Sequence, residues 1–165
     1  MKVLFLDIDG VLNSQRSCIA FGGFPHEVTG YHREMFDEVA LRLIRGIVKQ
    51  ADAKVVLSSS WRITHAHDFV GKHLDLPIID ATPTRWEPGQ VRGHEIAAWL
   101  EAHPEVENYV IVDDDPDMLP EQKERFVQTN NFNGFEWTHA EKMAELFGIS
   151  LYDVNRPAPT AWEQS

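Results

Sequence analysis

Short, wholly apolar runs alternate along the chain with stretches in which apolar positions recur every three or four residues. That alternation predicts strands interleaved with helices. Val3-Leu4-Phe5-Leu6 stops at Asp7-Ile8-Asp9-Gly10, as expected of a strand buried on both faces and ended by a polar turn. Val55-Val56-Leu57 before Ser58-Ser59-Ser60-Trp61-Arg62 repeats the pattern, as does Tyr109-Val110-Ile111-Val112 before Asp113-Asp114-Asp115-Pro116-Asp117. Pro77-Ile78-Ile79-Asp80 and Phe126-Val127 are shorter strand candidates. Phe36, Ala40, Leu43, Ile44, Ile47 and Val48 form one helical stripe over residues 36–50. A serine-capped helix is expected to run toward Leu74, another around Ile96 to Leu100, and a last one over residues 140–146. Residues 13–35 follow neither period and are predicted to be an irregular loop or small flap; residues 82–93, with Pro83, Pro88 and Gly89, are predicted to be loop. The whole implies βαβ crossovers, hence an α/β fold with a Rossmann-like parallel sheet and helices on both faces.

A length of 165 residues fits one domain, expected over residues 1–154 with the flap at 14–35, followed by a flexible tail at 155–165 that holds Pro157 and Pro159. With 43% hydrophobic and 25% charged residues the composition is that of a globular chain able to bury its own core. Cys18 is the only cysteine, which excludes an intrachain disulfide. The 15 basic and 26 acidic residues give a net charge of −11, which disfavours bulk nucleic-acid binding and attraction to an anionic membrane. No apolar run approaches the roughly 18 residues of a membrane span, and an acid arrives at Asp7, early for a signal peptide. A cytoplasmic protein is expected, and its oligomeric state is left open.

Three predicted strands end in oxygen-bearing side chains: Asp7 and Asp9, Ser58 to Ser60, and Asp113 to Asp117. In an open parallel sheet, ligands collect beyond the carboxyl ends of the strands. Several carboxylates gathered there repel one another unless a cation joins them, and Mg²⁺, with its preference for oxygen ligands, answers that need. Asp7 is placed to attack phosphorus, and Asp9, two residues on, to move a proton. Gly10 permits a backbone conformation closed to other residues. A serine hydroxyl with nearby backbone N–H groups suits phosphate oxygens, and Arg62 or Arg92 suits transition-state charge.

Leu4-Phe5-Leu6-Asp7-Ile8-Asp9-Gly10-Val11-Leu12-Asn13 resembles the first motif of haloacid dehalogenase-like phosphohydrolases. The resemblance implies that Asp7 is nucleophile and Mg²⁺ ligand, and that Asp9 is general acid/base and ligates the metal through its backbone carbonyl. Val55 to Arg62 resembles the second motif, whose Ser or Thr binds phosphate: Ser59, with Ser58 as the register alternative. Val110-Ile111-Val112-Asp113-Asp114 is similar to the fourth motif and implies Asp113 and Asp114 as metal ligands, with Asp117 as fallback. The third motif normally supplies a lysine; Arg92 is the match, with the charge but not the geometry of an ammonium. The Ser-Ser-Trp-Arg wording and Asn133-Gly134-Phe135 look like a subgroup that includes domains associated with nucleic-acid repair proteins. The gaps between motifs leave room for little or no cap.

The resemblance therefore implies a Mg²⁺-dependent phosphatase acting through an aspartyl-phosphate on Asp7, on a phosphorylated small molecule or a nucleic-acid end. Two other readings of the same acids are a phosphoacceptor signalling domain of receiver type and an inactive phosphate-binding module. His65 and His67, two apart, do not share a helix face and are expected to be surface or core histidines. Trp61 and Trp99 are expected to pack in the core, and Cys18 has no surrounding signature of a nucleophile.

Overall fold

The computed structural model describes residues 1–84 and 87–151. Five parallel strands form one sheet in the order β3-β2-β1-β4-β5: β1 (Lys2–Leu6), β2 (Ala53–Leu57), β3 (Ile78–Ala81), β4 (Asn108–Asp113) and β5 (Phe126–Gln128). Alternation along the central strands divides the core in two. Leu4, Leu6, Val55, Leu57, Val110 and Val112 point to one face, and Val3, Phe5, Val56 and Ile111 to the other. Both sets are apolar because both faces are covered.

The first face carries α2 (Glu38–Ala51) and α5 (Trp137–Phe147), with Val70 and Leu74 of α3 (His67–Leu74) at its edge. The predicted stripe of α2 is the buried one, and Asp37 caps it by accepting from the N–H groups of Val39 and Ala40. The second face is covered by α4 (Arg92–Glu101), whose Ile96 and Trp99 meet Phe5, with the two rings edge to face at 5.4 Å.

Three local expectations are corrected. The first is the loop over residues 82–93: α4 begins inside it, at Arg92. Residues 13–35 are irregular only in part: they hold α1 (Gln15–Phe21), capped reciprocally by Ser14 and Ser17, and a 3₁₀ helix over Gly30–Met35. The apolar residues of α1 face outward, Ile19 being 80% exposed, so no stripe announces the helix. After β2 the serines do not open one long helix. Ser59 caps a 3₁₀ turn over Ser60–Ile63, and α3 starts separately at His67. Residues 14–35 are tied to the body by buried Val28 and by Arg33 Nε donating to the carbonyl of His73 at 2.9 Å. Among the described residues there is no folded cap, and the tail expected at 155–165 lies outside them. No described helix is long and apolar enough to cross a membrane.

Candidate active site

Hydrogen bonding of the parallel ladder continues one residue past the strands. The N–H of Asp7 donates to the carbonyl of Val112, and that of Ser58 to the carbonyl of Leu6, each at 3.0 Å. Asp7 is thereby set between Ser58 and Asp113. Carboxylate oxygens of Asp7, Asp113 and Asp114 lie within 4.8 Å of one another. Asp7 and Asp113 are buried and Asp114 is partly so.

Gly10, at φ +78°, turns the chain above this cluster. A Cβ there would stand 2.4 Å from Oδ2 of Asp114, so both the conformation and the space require glycine. The Thr129 hydroxyl donates to the Gly10 carbonyl at 2.7 Å and ties the end of β5 to the same turn.

Among the described residues, one cation pairs with this cluster. Arg92, the first residue of α4, places Nη1 at 3.3 Å from Oδ1 of Asp7 and 3.2 Å from Oδ2 of Asp113, and donates to the Ser58 carbonyl. Burial opposes the charge on Arg92, but Asp113 and Asp7 outweigh it and its pKa is raised. The balance is still short of positive charge. Burial, with the neighbouring Asp7 charge, pushes the Asp113 carboxyl up to about 8, and the same two causes raise Asp114. Oδ2 of Asp113 has Arg92 as an ion pair but no directed hydrogen bond, and the buried Ser58 hydroxyl has no partner.

These observations fit a bound divalent cation. Three oxygen donors converge, one guanidinium offsets them incompletely, and a buried carboxylate oxygen is left unsatisfied. Asp7, Asp113 and Asp114 would hold it. The Asp9 carboxylate is not in the cluster, so a metal role for Asp9 rests on its backbone carbonyl alone.

Asp9 is exposed, and both its oxygens are held. Oδ1 accepts from Asn13 Nδ2 at 2.9 Å and Oδ2 from Trp61 Nε1 at 3.0 Å. Its carboxylate faces a cleft of about 520 Å³ between the 22–29 loop of the flap, the turn after β2 and the first residues of α1. Trp61 packs in the core against Phe36, as expected, yet its indole N–H donates to the Asp9 carboxylate, a link that spans 52 residues and left no local signal. Asn13 was equally hidden.

The serines divide. The Ser58 and Ser59 side chains are buried, Ser59 accepting from the Trp61 N–H at 3.3 Å, whereas Ser60 lines the cleft. Arg62 does not reach the acids. Its donors go to the carbonyls of Ser58, Ser59 and Thr82 and to Glu95 Oε2 at 2.7 Å, which fixes the phosphate-loop candidates to the end of β3. Asp117 is exposed and outside the cluster. His65 pairs with Glu27 at 2.9 Å, and no histidine joins a metal-type group among the described residues.

A five-stranded parallel sheet whose central strands β1 and β4 end in converging aspartates, with a basic residue at the start of the preceding helix, defines the haloacid dehalogenase-like class. Within it, a family model described as the HAD domain in Swiss Army Knife RNA repair proteins matches residues 3–140, and the chain belongs to that family. No curated protein and no solved structure matches the chain.

Proposed function

We propose that this chain is a Mg²⁺-dependent phosphomonoester hydrolase that acts through an aspartyl-phosphate on Asp7, with a nucleotide or a nucleic-acid terminal phosphate as substrate. The reading is carried by the convergence of Asp7, Asp113 and Asp114 at two neighbouring strand ends around a charge that Arg92 does not balance. The family's association with RNA repair supports a substrate of nucleotide character.

A carboxylate oxygen of Asp7 attacks phosphorus, and the bond to the leaving oxygen breaks. Asp9, reached from the open cleft, gives that oxygen its proton and later takes one from the water that hydrolyses the acyl phosphate. Arg92 lies close enough to Asp7 to offset charge on the transferring phosphoryl group, and the buried Ser58 hydroxyl, which has no hydrogen-bond partner among the described residues, is the serine donor it would meet, with Ser59 held as a cap. A bound Mg²⁺ supplies charge neutralisation and orientation of the phosphate.

Replacing Asp7 by Asn removes the nucleophile while keeping size and most packing. Turnover of p-nitrophenyl phosphate with Mg²⁺ is expected to fall by more than about a thousandfold. Retained turnover would show that Asp7 is not the nucleophile. A phosphorylated wild-type chain that persists without releasing phosphate would point instead to a phosphoacceptor domain.

A further inference from the structure

Resting on the phosphatase reading, the surroundings of Asp9 show what keeps its carboxylate in place. The cleft it faces has two walls of different origin. Phe24, Pro25 and His26 of the 22–29 loop stand on one, and Trp61, Thr64 and His65 of the turn after β2 on the other. A polar contact crosses between them: Nε2 of His65 lies 2.9 Å from Oε2 of Glu27. Among the described residues no other hydrogen bond or ion pair joins that loop to that turn.

His65 is built into the turn rather than left on its surface. Its backbone N–H donates to the Trp61 carbonyl at 2.8 Å, one turn back, which brings the two rings together at 4.9 Å with their planes 30° apart. Its side chain is 13% exposed, against 52% for that of Glu27. Both ring nitrogens are engaged, Nδ1 by the Thr64 hydroxyl at 2.9 Å and Nε2 by Glu27. A carboxylate only accepts, so Nε2 carries the hydrogen that faces Glu27. An imidazole tied at both nitrogens does not turn without breaking one of the two contacts. Trp61 is thereby held on two sides, by His65 and by Phe36 at 5.9 Å between ring centroids, and its indole N–H donates to Oδ2 of Asp9 at 3.0 Å. The contacts run in series from loop to acid through Glu27, His65, Trp61 and Asp9.

We propose that His65 is a positioning residue for the proton-transfer step, with Glu27 as its anchor. The pair clasps the 22–29 loop to the turn after β2, keeps the imidazole against Trp61 and so keeps the indole N–H on Asp9. A half-exposed ion pair adds little to overall stability, so the effect falls on geometry, where a small displacement of a reacting group costs rate. Loop position and placement of the acid become one variable: a loop that lifts takes Glu27 with it and frees the ring that backs Trp61.

Two readouts on the full chain test this. The first compares kcat/KM, with Mg²⁺, on methyl phosphate, whose leaving group needs a proton, and on p-nitrophenyl phosphate, whose leaving group does not. The ratio of the two is expected to fall about fivefold in His65→Ala and about threefold in Glu27→Ala, and Glu27→Gln, whose amide oxygen still accepts, is expected to recover most of that fall. The double variant His65→Ala with Glu27→Ala is expected to be no worse than His65→Ala alone. The second follows exchange of the Trp61 indole hydrogen with solvent by NMR, its signal assigned by its loss in Trp61→Phe. Exchange is expected to quicken severalfold in Glu27→Ala while the other indoles are unchanged. Glu27 is more than half exposed, so its replacement leaves the fold standing. Equal losses on both phosphates, additive losses in the double variant, or an unchanged Trp61 indole in Glu27→Ala would overturn the proposal while leaving the phosphatase reading intact. Absence of turnover by the wild-type chain on either phosphate would overturn both.

Discussion

The ends of β1 and β4 and the ends of β2 and β3 lie side by side on the same sheet, yet each treats its arginine differently. At β1 and β4, Arg92 pairs with two of the three clustered carboxylates, Asp7 and Asp113, and leaves an oxygen of Asp113 without a directed hydrogen bond. At β2 and β3, Arg62 meets three carbonyls and one carboxylate, with its side chain 6% exposed. The second arrangement gives its guanidinium acceptors from four residues; the first leaves a buried carboxylate oxygen unmatched. Burial alone does not separate a structural from a chemical arginine, whereas the charge its partners leave unbalanced does.

The contrast is broken most directly by removing each arginine in turn. Arg92→Ala is expected to lower kcat by about 100-fold or more, because charge on the phosphoryl group loses its fixed cation. Arg62→Ala is expected to act on the fold, destabilising it by about 1–3 kcal/mol because the carbonyls of Ser58, Ser59 and Thr82 and the Glu95 carboxylate lose this donor, with a smaller change in kcat per folded molecule. Melting temperature and kcat measured on both variants decide the matter: equal losses of activity at equal stability would erase the distinction.

A smaller effect is expected from Trp61→Phe, which keeps a ring in the core but loses the donor to Asp9. An alkyl phosphate, whose leaving group needs a proton, is expected to lose about tenfold more kcat/KM than p-nitrophenyl phosphate, whose leaving group does not. Parallel losses on the two substrates would assign Trp61 to packing alone.

The gentlest probe is pH. The Asp113 carboxyl is raised from 3.8 to about 8 by burial and by Asp7. Between those values the unfolded chain has released a proton that the folded cluster retains, so rising pH favours unfolding of the metal-free protein. Its melting temperature is therefore expected to fall from about pH 5 to about pH 8, and Mg²⁺ to raise it more at the higher pH. A flat profile that ignores Mg²⁺ would mean that the cluster is neither strained nor metal-binding.

What was legible in the sequence follows the same division. The runs in β1, β2 and β4 announce themselves because both faces of the sheet are covered, and the acids that end β1 and β4 stand out against them. Asp7, Asp113 and Asp114 could be named because their meeting depends only on strand adjacency. The cleft could not. Trp61 and Asn13 reach Asp9 through turns whose conformation has no period, and α1 hides its helix by turning Ile19 outward and capping itself with two serines. That the donors of Arg62 would be taken up by carbonyls and Glu95 was also invisible, since its partners Thr82 and Glu95 come from the residue after β3 and from α4.

The most direct measurement is mass spectrometry of the chain quenched in acid during turnover with Mg²⁺. The account predicts a transient adduct of one phosphoryl group on the peptide that carries Asp7, absent without Mg²⁺ and absent in Asp7→Asn. Steady phosphate release with no adduct on Asp7 at any time, or an adduct on another residue, would contradict it.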